Sequence, residues 1–380
     1  MSPASTRAAS NPAASNPAAS SPATSPRLLV AASGTGGHLF PAIATATALL
    51  DAHYSIEWLG VPDRLETTLV PDHFPLHTVR MAGFQGRPGL GTVKTLGQFG
   101  RAIGQVRHLL KAGKFDGVFT TGGYIAAPAI IAARSLGLPA VLHESNALPG
   151  KVTRWLSPWC TTVALGFEAA RAHLPKAQTV VVGTPVRDEF LTLAPPDLTD
   201  PAIPEGVPLI VVVGGSQGAV AVNQLVRAAA PAWIEAGAWI VHQTGSSDPD
   251  ADSFAHAQYI HRPFFSSMAA LMHRATLAIG RSGAGTLTEL AISRTPSILI
   301  PYPYAAEDHQ TVNAAVFAQA NAALMLPQGK TSSGQLQALV LDLLAQPQRL
   351  AAMATAAGHL ATADSATKLA TLIQQVLLNR

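Results

Sequence analysis

From Arg27 onward the chain alternates between short apolar runs and longer stretches with helical spacing, and no other feature constrains its fold as strongly. Runs such as RLLVAAS and SIEWLG have the length and composition of buried strands. Strands that alternate with helices form parallel sheets with helices on both faces. The alternation stops at a proline-rich segment, residues 191–206, and then restarts. The pattern predicts an α/β protein with two Rossmann-like, doubly wound parallel-sheet domains that face a cleft.

Length and local composition divide the chain further. The 380 residues exceed what one hydrophobic core usually serves. The N-terminal segment repeats the five residues AASNP, and small residues with proline cannot bury enough apolar area to fold. The predicted organisation is a disordered low-complexity tail (1–26), an N-terminal domain (27–190), a linker (191–206), a C-terminal domain (207–350) and C-terminal helices (351–380) that can pack back on the N-terminal domain.

Composition and missing motifs exclude several classes of protein. The single cysteine, Cys160, excludes a disulfide framework and fits a reducing compartment. A net charge of +3 is too weak to indicate nucleic-acid binding. The best candidate for a membrane span, YIAAPAIIAARSLGLPAVL, is interrupted by Pro128, Arg134 and Gly137, so it predicts a helix, a turn and a strand. P-loop and zinc motifs are absent from the sequence, and the acidic run 248–252 is interpreted as a solvated loop.

The first glycine loop, SGTGGHLFP, follows a predicted strand and leads into a predicted helix that has Pro41 in its first turn. Gly34 and Gly36 match the first two glycines of the dinucleotide fingerprint, but Leu39 occupies the third position. The loop is therefore not a dinucleotide site. It retains the features of a phosphate site, namely backbone N–H groups beside the positive end of a helix dipole. The alternative is a tight turn with no ligand.

Five more polar or glycine-rich loops follow predicted strands: TTGGY, HESN, GGSQGA, GRSGAGTLTEL and PYPYAAEDHQTVN. Ligands of parallel sheets bind beyond the carboxyl ends of the strands, so these loops are predicted to line the cleft. Ser216 and a helix that starts near Ala284 can bind phosphate, and Glu289 can accept hydrogen bonds from vicinal hydroxyls of a sugar. The alternative for Glu289 is a solvated helix carboxylate. The cluster from His309 to Asn313 suits sugar hydroxyls, and Asp308 is a candidate helix cap.

Taken in order and spacing, these motifs, together with LHESNALPGKVTR and VVGTPVR, resemble the MurG family over about residues 27–375. That family consists of the UDP-GlcNAc:undecaprenyl-pyrophosphoryl-MurNAc-pentapeptide N-acetylglucosaminyltransferases. The resemblance implies the GT-B fold. It also implies inverting transfer of GlcNAc from UDP-GlcNAc to the C4 hydroxyl of MurNAc in lipid I, which forms lipid II for peptidoglycan.

The resemblance assigns roles to two groups of residues. The expected donor UDP-GlcNAc site contains Asn146, Arg187, Ser216, Phe265, Ala284, Gly285, Glu289, His309, Gln310 and Asn313. The expected acceptor and diphosphate site contains Gly34, Thr35, Gly36, Gly37, Gly122, Gly123 and Tyr124. Two positions depart from the family pattern: His309 stands where many members have Gln, and Ser266–Ser267 stand where acidic residues are common.

The mechanism needs a base for the acceptor hydroxyl and stabilisation of the leaving UDP. His38 is the candidate general base, because an imidazole titrates near working pH. The alternative is that His38 binds phosphate or orients its loop. The helix near Ala284 and Ser216 can stabilise UDP, so neither a metal nor a cofactor is expected.

Residues 79–114 combine Arg, Lys and His with apolar residues, and they contain no Asp or Glu. This composition suits an anionic membrane surface, and the alternative is an ordinary basic helix face. The apolar residues named for this surface are Phe84, Leu90, Val93, Leu96 and Phe99. The expected location is the cytoplasmic face of the bacterial inner membrane, as a peripheral protein. Expected partners are UDP-GlcNAc, lipid I, the membrane surface and other cell-wall synthesis proteins, with no nucleic acid.

Two other functions fit part of the pattern. A different GT-B UDP-sugar enzyme, such as a 2-epimerase, would share the donor loops but not the combination of GTGGHLFP, TGGY and HESN. A non-catalytic nucleotide-sugar-binding protein would bind UDP-GlcNAc without turnover.

Overall fold

The computed structural model describes residues 25–81, 90–192, 201–215 and 218–379, and for residues 90–94 only the backbone is described. Residues 1–24 of the predicted tail (1–26) therefore lie outside the described residues. Pro26, which the sequence places in that tail, takes part in the fold, because its carbonyl oxygen accepts a hydrogen bond from Ser55 N at 2.9 Å.

In the described part of the chain, the N-terminal domain has a seven-stranded sheet whose strands pair in parallel in the order β3-β2-β1-β4-β5-β6-β7. The strands are β1 (Arg27–Ala32), β2 (Ser55–Gly60), β3 (Leu76–Thr78), β4 (Gly117–Gly122), β5 (Ala140–Glu144), β6 (Thr162–Leu165) and β7 (Thr179–Val181). The helices are α1 (Gly36–Asp51), α2 (Glu66–Leu69), α3 (Leu90–Ala112), α4 (Ala126–Ser135) and α5 (Lys151–Leu156). The short helix α6 (Asp188–Leu191) follows in chain order and packs on the other domain, where Phe190 lies in the core.

The C-terminal domain has, over its described residues, a six-stranded parallel sheet in the order β10-β9-β8-β11-β12-β13. The strands are β8 (Leu209–Val213), β9 (Trp239–Gln243), β10 (Tyr259–Arg262), β11 (Leu277–Gly280), β12 (Ser297–Leu299) and β13 (Ala323–Met325). The helices are α7 (Val220–Glu235), α8 (Met268–Arg274), α9 (Ala284–Ile292), α10 (His309–Gln319), α11 (Ser333–Leu344), α12 (Pro347–His359) and α13 (Ser365–Leu378). The predicted class of two doubly wound domains is confirmed.

Each sheet has a hydrophobic core on both faces, as expected for parallel strands covered by helices. Helix α12 packs on the C-terminal domain, where Ala357 is buried among residues of β8, β11 and α9. Helix α13 returns to the other domain, where Leu369 and Ile373 are buried against α1. The last helix of the chain therefore completes the core of the first domain.

Two details differ from the sequence-based expectations. Strands β3 and β13 were not predicted, because LHT contains one apolar residue and ALM continues the Ala-rich run of the helix before it. Pro41 lies in the second turn of α1, since the helix already begins at Gly36 within the glycine loop. Among the described residues, no helix combines the length and the apolar character needed to cross a membrane.

Candidate active site

His38 is held in a defined orientation at the carboxyl end of the first sheet. Its Nδ1 lies 2.8 Å from the carbonyl oxygen of Thr121, and Thr121 Oγ1 donates to the His38 carbonyl oxygen at 2.8 Å. Since a carbonyl oxygen only accepts, Nδ1 carries a proton, and Nε2 of the neutral ring is an acceptor. A Cβ atom at Gly122 would lie 2.9 Å from His38 Cε1, so the glycine leaves room for the ring. The geometry suits a proton acceptor.

The predicted phosphate loop forms the beginning of α1. Thr35 is the N-cap residue without a side-chain cap, and its carbonyl oxygen accepts from His38 N and Leu39 N. The first N–H groups of a helix have no partner within it. Gly36 and Gly37 therefore present backbone donors at the positive end of the α1 dipole, which is the arrangement that binds an anion.

Buried polar contacts hold this loop in place. Gly34 N donates to Glu66 Oε2 at 3.2 Å, and Glu66 Oε1 accepts from Val61 N at 2.8 Å. The Glu66 side chain is fully buried. Gly123 has a φ of +81°, and a Cβ there would lie 2.2 Å from the Ser33 carbonyl oxygen. The TTGGY and SGTGGH loops thus touch, and the close approach requires glycine at position 123.

Tyr124 extends the same edge, and the Arg64 guanidinium lies 5.1 Å from its ring centroid. This places a cation and an aromatic ring beside the α1 N-terminus. The predicted acceptor residues Gly34–Gly37 and Gly122–Tyr124 therefore occupy one contiguous region.

Asn146 and Asn313 join the two domains. The Asn313 side chain is fully buried, and its Nδ2 donates to Asn146 Oδ1 at 3.0 Å while its Oδ1 accepts from Ala147 N at 2.8 Å. On the other side, Glu144 Oε1 accepts from both Asn146 N and Asn146 Nδ2 at 3.0 Å. The HESN loop is thereby fixed against helix α10.

Arg187 also crosses between the domains. Its Nη2 lies 3.1 Å from Glu289 Oε1 on α9, and its guanidinium lies over the rings of Phe40 and Phe190 at 5.2 Å and 5.0 Å. The Glu289 side chain is only 16% exposed, so it is not a solvated helix carboxylate. Burial raises the pKa of the Glu289 carboxyl above its usual value, and the charge of Arg187 opposes that rise.

The N-terminus of α9 is open. Gly283 is its N-cap residue without a side-chain cap, and Cβ atoms built at Gly283 and Gly285 would meet nothing within 4 Å. The first N–H groups, near Ala284 and Gly285, are therefore placed to receive an anion. Glu289 lies on the same helix, so the free backbone donors and this carboxylate share one element.

The loop before α10 has an unusual backbone. Glu307 and Asp308 have φ values of 54° and 56°. His309 Nδ1 donates to the Ala306 carbonyl oxygen at 2.9 Å, and Gln310 Oε1 accepts from Tyr302 N at 2.9 Å. The expected cap is wrong, because the Asp308 side chain makes no cap bond to the helix backbone.

Three other expectations have different outcomes. Phe265 N donates to Gln243 Oε1 at 3.2 Å, so the Phe265 carbonyl oxygen is the backbone group suited to the imide N–H of a uracil. Ser216 lies outside the described residues. The acidic run 248–252 is not fully solvated, because Asp248 has a fully buried side chain that pairs with Arg227 at 2.6 Å.

Two supporting carboxylates were missed by sequence reasoning. Glu144 stands inside the quoted HESN motif, but nothing in the motif shows that it binds the backbone of the following turn. Glu66 belongs to no motif, and only the folded structure reveals that it binds the glycine loop.

Comparisons with known proteins agree with this architecture. The glycosyltransferase family 28 N-terminal domain matches residues 28–165, and the glycosyltransferase family 28 C-terminal domain matches residues 209–374. The UDP-N-acetylglucosamine--N-acetylmuramyl-(pentapeptide) pyrophosphoryl-undecaprenol N-acetylglucosamine transferase of Nostoc punctiforme is 62% identical over 351 residues, which is 92% of this chain and 98% of that protein.

Solved structures give the same result. The crystal structure of Acinetobacter baumannii MurG has a TM-score of 0.75 and 30% identity, and it covers 92% of this chain and 99% of its own. The crystal structure of a Listeria monocytogenes protein named as a putative UDP-N-acetylglucosamine 2-epimerase has a TM-score of 0.68. It is 13% identical and covers 94% of this chain and 98% of its own, so it shares the fold alone. The chain belongs to glycosyltransferase family 28 and, within it, to the MurG family.

Proposed function

We propose that this protein transfers GlcNAc from UDP-GlcNAc to the C4 hydroxyl of MurNAc in undecaprenyl-pyrophosphoryl-MurNAc-pentapeptide, with inversion at the anomeric carbon. The product is lipid II, the disaccharide precursor of peptidoglycan. The observation that carries the proposal is the 62% identity to an N-acetylglucosamine transferase over 92% of the chain. The cleft supplies the parts that such a transfer needs.

His38 acts in this proposal as the general base. Its Nδ1–H is engaged with the Thr121 carbonyl oxygen, so Nε2 is the nitrogen that can take the proton from the acceptor hydroxyl. The proton passes to Nε2 as the hydroxyl oxygen bonds to the anomeric carbon and the bond to the UDP oxygen breaks. A base at this position typically accelerates such a step about 10²–10⁴-fold.

UDP leaves with negative charge on its diphosphate. The open N-terminus of α9, at Ala284 and Gly285, provides backbone donors and a positive dipole end for that charge. We propose that these groups act without a metal or another cofactor. In the 248–252 loop, the Asp248 carboxylate accepts hydrogen bonds from Asn223 and Arg227.

The remaining roles are proposed from the positions of the glycine loops and of helices α9 and α10. The backbone donors of Gly36 and Gly37 suit the diphosphate of the lipid acceptor, and Tyr124 flanks them. Glu289 suits the ribose hydroxyls of the donor. His309, Gln310 and Asn146 are proposed to contact the GlcNAc. Asn313 is not a direct sugar ligand, because its side chain is fully buried and bonded to protein groups, and it instead holds Asn146 in place.

The test is incubation of the purified protein with UDP-GlcNAc and a lipid I analogue. We expect release of UDP together with a β-1,4-linked disaccharide. Formation of UDP-ManNAc from UDP-GlcNAc alone would instead identify a 2-epimerase. Binding of UDP-GlcNAc without either product would identify a binding protein.

We also propose that the protein works at an anionic membrane surface on the cytoplasmic side, beside other cell-wall synthesis proteins that serve growth, cell shape and division. Two described residues support this proposal: Leu96 on α3 is 55% exposed, and Arg101 is also exposed. Phe99 does not belong to this surface, since it packs against a core cluster. Phe84 lies outside the described residues, as do the side chains of Leu90 and Val93.

A further inference from the structure

A further contact between the domains involves the segment that follows Asn146. Arg154, on α5 of the N-terminal domain, forms an ion pair through Nη2 with Glu307 Oε1 of the C-terminal domain. The two side chains are 31% and 29% exposed, so solvent only partly screens the pair. Helix α5 begins five residues after Asn146, so one short segment makes both contacts with the C-terminal domain.

Glu307 occupies a backbone conformation that a non-glycine residue adopts at a cost. Its φ is 54°, and that of Asp308 is 56°. Each left-handed residue costs about 1–2 kcal/mol, and such a conformation persists where surrounding contacts impose it. The Arg154 ion pair is a contact that reaches this turn from the opposite domain.

The turn leads directly into the residues proposed to hold the donor sugar. His309 Nδ1 bonds to the Ala306 carbonyl oxygen, so the orientation of that ring depends on the shape of the turn. The side-chain Oε1 of Gln310 accepts a hydrogen bond from Tyr302 N on the preceding segment. The backbone carbonyl oxygen of Gln310 accepts one from the Ser282 hydroxyl. A change at Glu307 would therefore be transmitted to His309 and Gln310.

We propose that Arg154 and Glu307 are positioning residues for sugar transfer, acting as a clasp across the cleft. The ion pair holds the 306–308 turn in its left-handed form and the two domains together, and it thereby sets His309 and Gln310 against the donor. This inference rests on the proposed transfer reaction. Neither residue contacts the reacting atoms in this scheme, and both act through the turn.

The first experiment measures transfer kinetics of Arg154→Ala, Glu307→Ala and the double variant. We expect each single variant to lower kcat about 2–5-fold with a smaller change in KM for UDP-GlcNAc, which corresponds to the usual strength of a partly exposed charge pair. The double variant should be no slower than the single ones, and the swap Arg154→Glu with Glu307→Arg should recover most of kcat. Arg349→Ala, which breaks an exposed ion pair with Asp342 inside the C-terminal domain, is the control and should keep normal kinetics.

Hydrogen exchange provides a readout that does not depend on catalysis. In both single variants we expect faster amide exchange in peptides covering 146–156 and 301–313, on opposite sides of the cleft, and unchanged exchange in β8 and β11. If wild-type protein shows no transfer but the exchange pattern holds, the proposed function fails and the clasp stands. Additive losses of kcat, no recovery in the swap, or exchange changes confined to the mutated side would overturn the clasp.

Discussion

At the scale of single residues, two histidines show how a carbonyl or amide partner decides the state of an imidazole. The Thr121 carbonyl oxygen fixes the proton of His38 on Nδ1. The buried His242 lies between Tyr259 Oη, 2.7 Å from Nδ1, and Asn223 Oδ1, 2.9 Å from Nε2. An amide oxygen only accepts, so in His242 the proton is on Nε2. The first arrangement suits chemistry in a cleft, and the second suits a neutral group in a core.

Replacing His38 by Ala should lower kcat about 10²–10⁴-fold, because the acceptor hydroxyl would lose its proposed base. Binding of UDP-GlcNAc, measured by calorimetry, should stay within about twofold, since the proposed donor phosphate sites lie on the other domain. His359→Ala, an exposed histidine at the end of α12, is the matched control and should be unaffected. A near-normal rate in His38→Ala would leave the residue with only a loop-orienting role.

Acid should destabilise the protein through His242, whose pKa burial lowers to about 3. The unfolded chain binds this proton below about pH 6.5, whereas the folded protein does not. Stability is therefore intact above about pH 6.5 and falls by up to about 1.4 kcal/mol per pH unit below it. Urea unfolding at pH 7.5, 6.5 and 5.5 measures the slope. His242→Gln should be less stable at pH 7.5 but show a shallower slope, and an unchanged slope would contradict this origin.

At the scale of elements, the sequence was most informative where a strand, a glycine loop and a helix follow one another. The start of α9 at Ala284 matches its prediction, because the glycines permit the sharp turn that a buried strand needs before a helix. Sequence patterns could not locate β3 and β13, since LHT is mostly polar and ALM extends an Ala-rich helical run. They also could not reveal that Glu66 and Glu144 hold loops, because a buried carboxylate is recognised by partners distant in the chain.

The basic segment 79–114, which includes helix α3, carries the prediction about the membrane, and Arg87 in it lies outside the described residues. Replacing Arg87, Lys94 and Arg101 together by Gln should reduce flotation with anionic vesicles several-fold, because each basic residue near such a surface contributes about 1 kcal/mol. The matched control replaces Lys176, Lys330 and Lys368, which are exposed elsewhere, and should float normally. No binding of wild-type protein to anionic vesicles, or equal losses in both variants, would exclude this surface.

At the scale of the whole molecule, the described chain crosses between the domains twice. The first crossing lies between β7 and α6, because Val182 belongs to the N-terminal core whereas Val186 and Phe190 belong to the C-terminal core. The second lies between α12 and α13. At the second crossing Thr362 packs so closely on Gly183 that an added Cβ there would lie 2.5 Å from Thr362 Cβ. The N-terminal domain therefore depends on residues from both ends of the described chain.

Leu369→Ala should destabilise the N-terminal domain by about 2–5 kcal/mol, because it empties a fully buried position between α13 and α1. Hydrogen exchange should then accelerate in α1 and β1 before it does in β8 and β11. Leu336→Ala, an equally buried leucine of α11 in the core of the other domain, should give the opposite order. The same order in both variants would mean that α13 does not belong energetically to the first domain.

The two crossings also restrict how the cleft can open. The two crossing segments run side by side, because Gly183 on the first packs directly against Thr362 on the second. Any rotation of one domain relative to the other would therefore have its hinge at this one place. A side chain added at Gly183 would press on the hinge itself and not on either domain core.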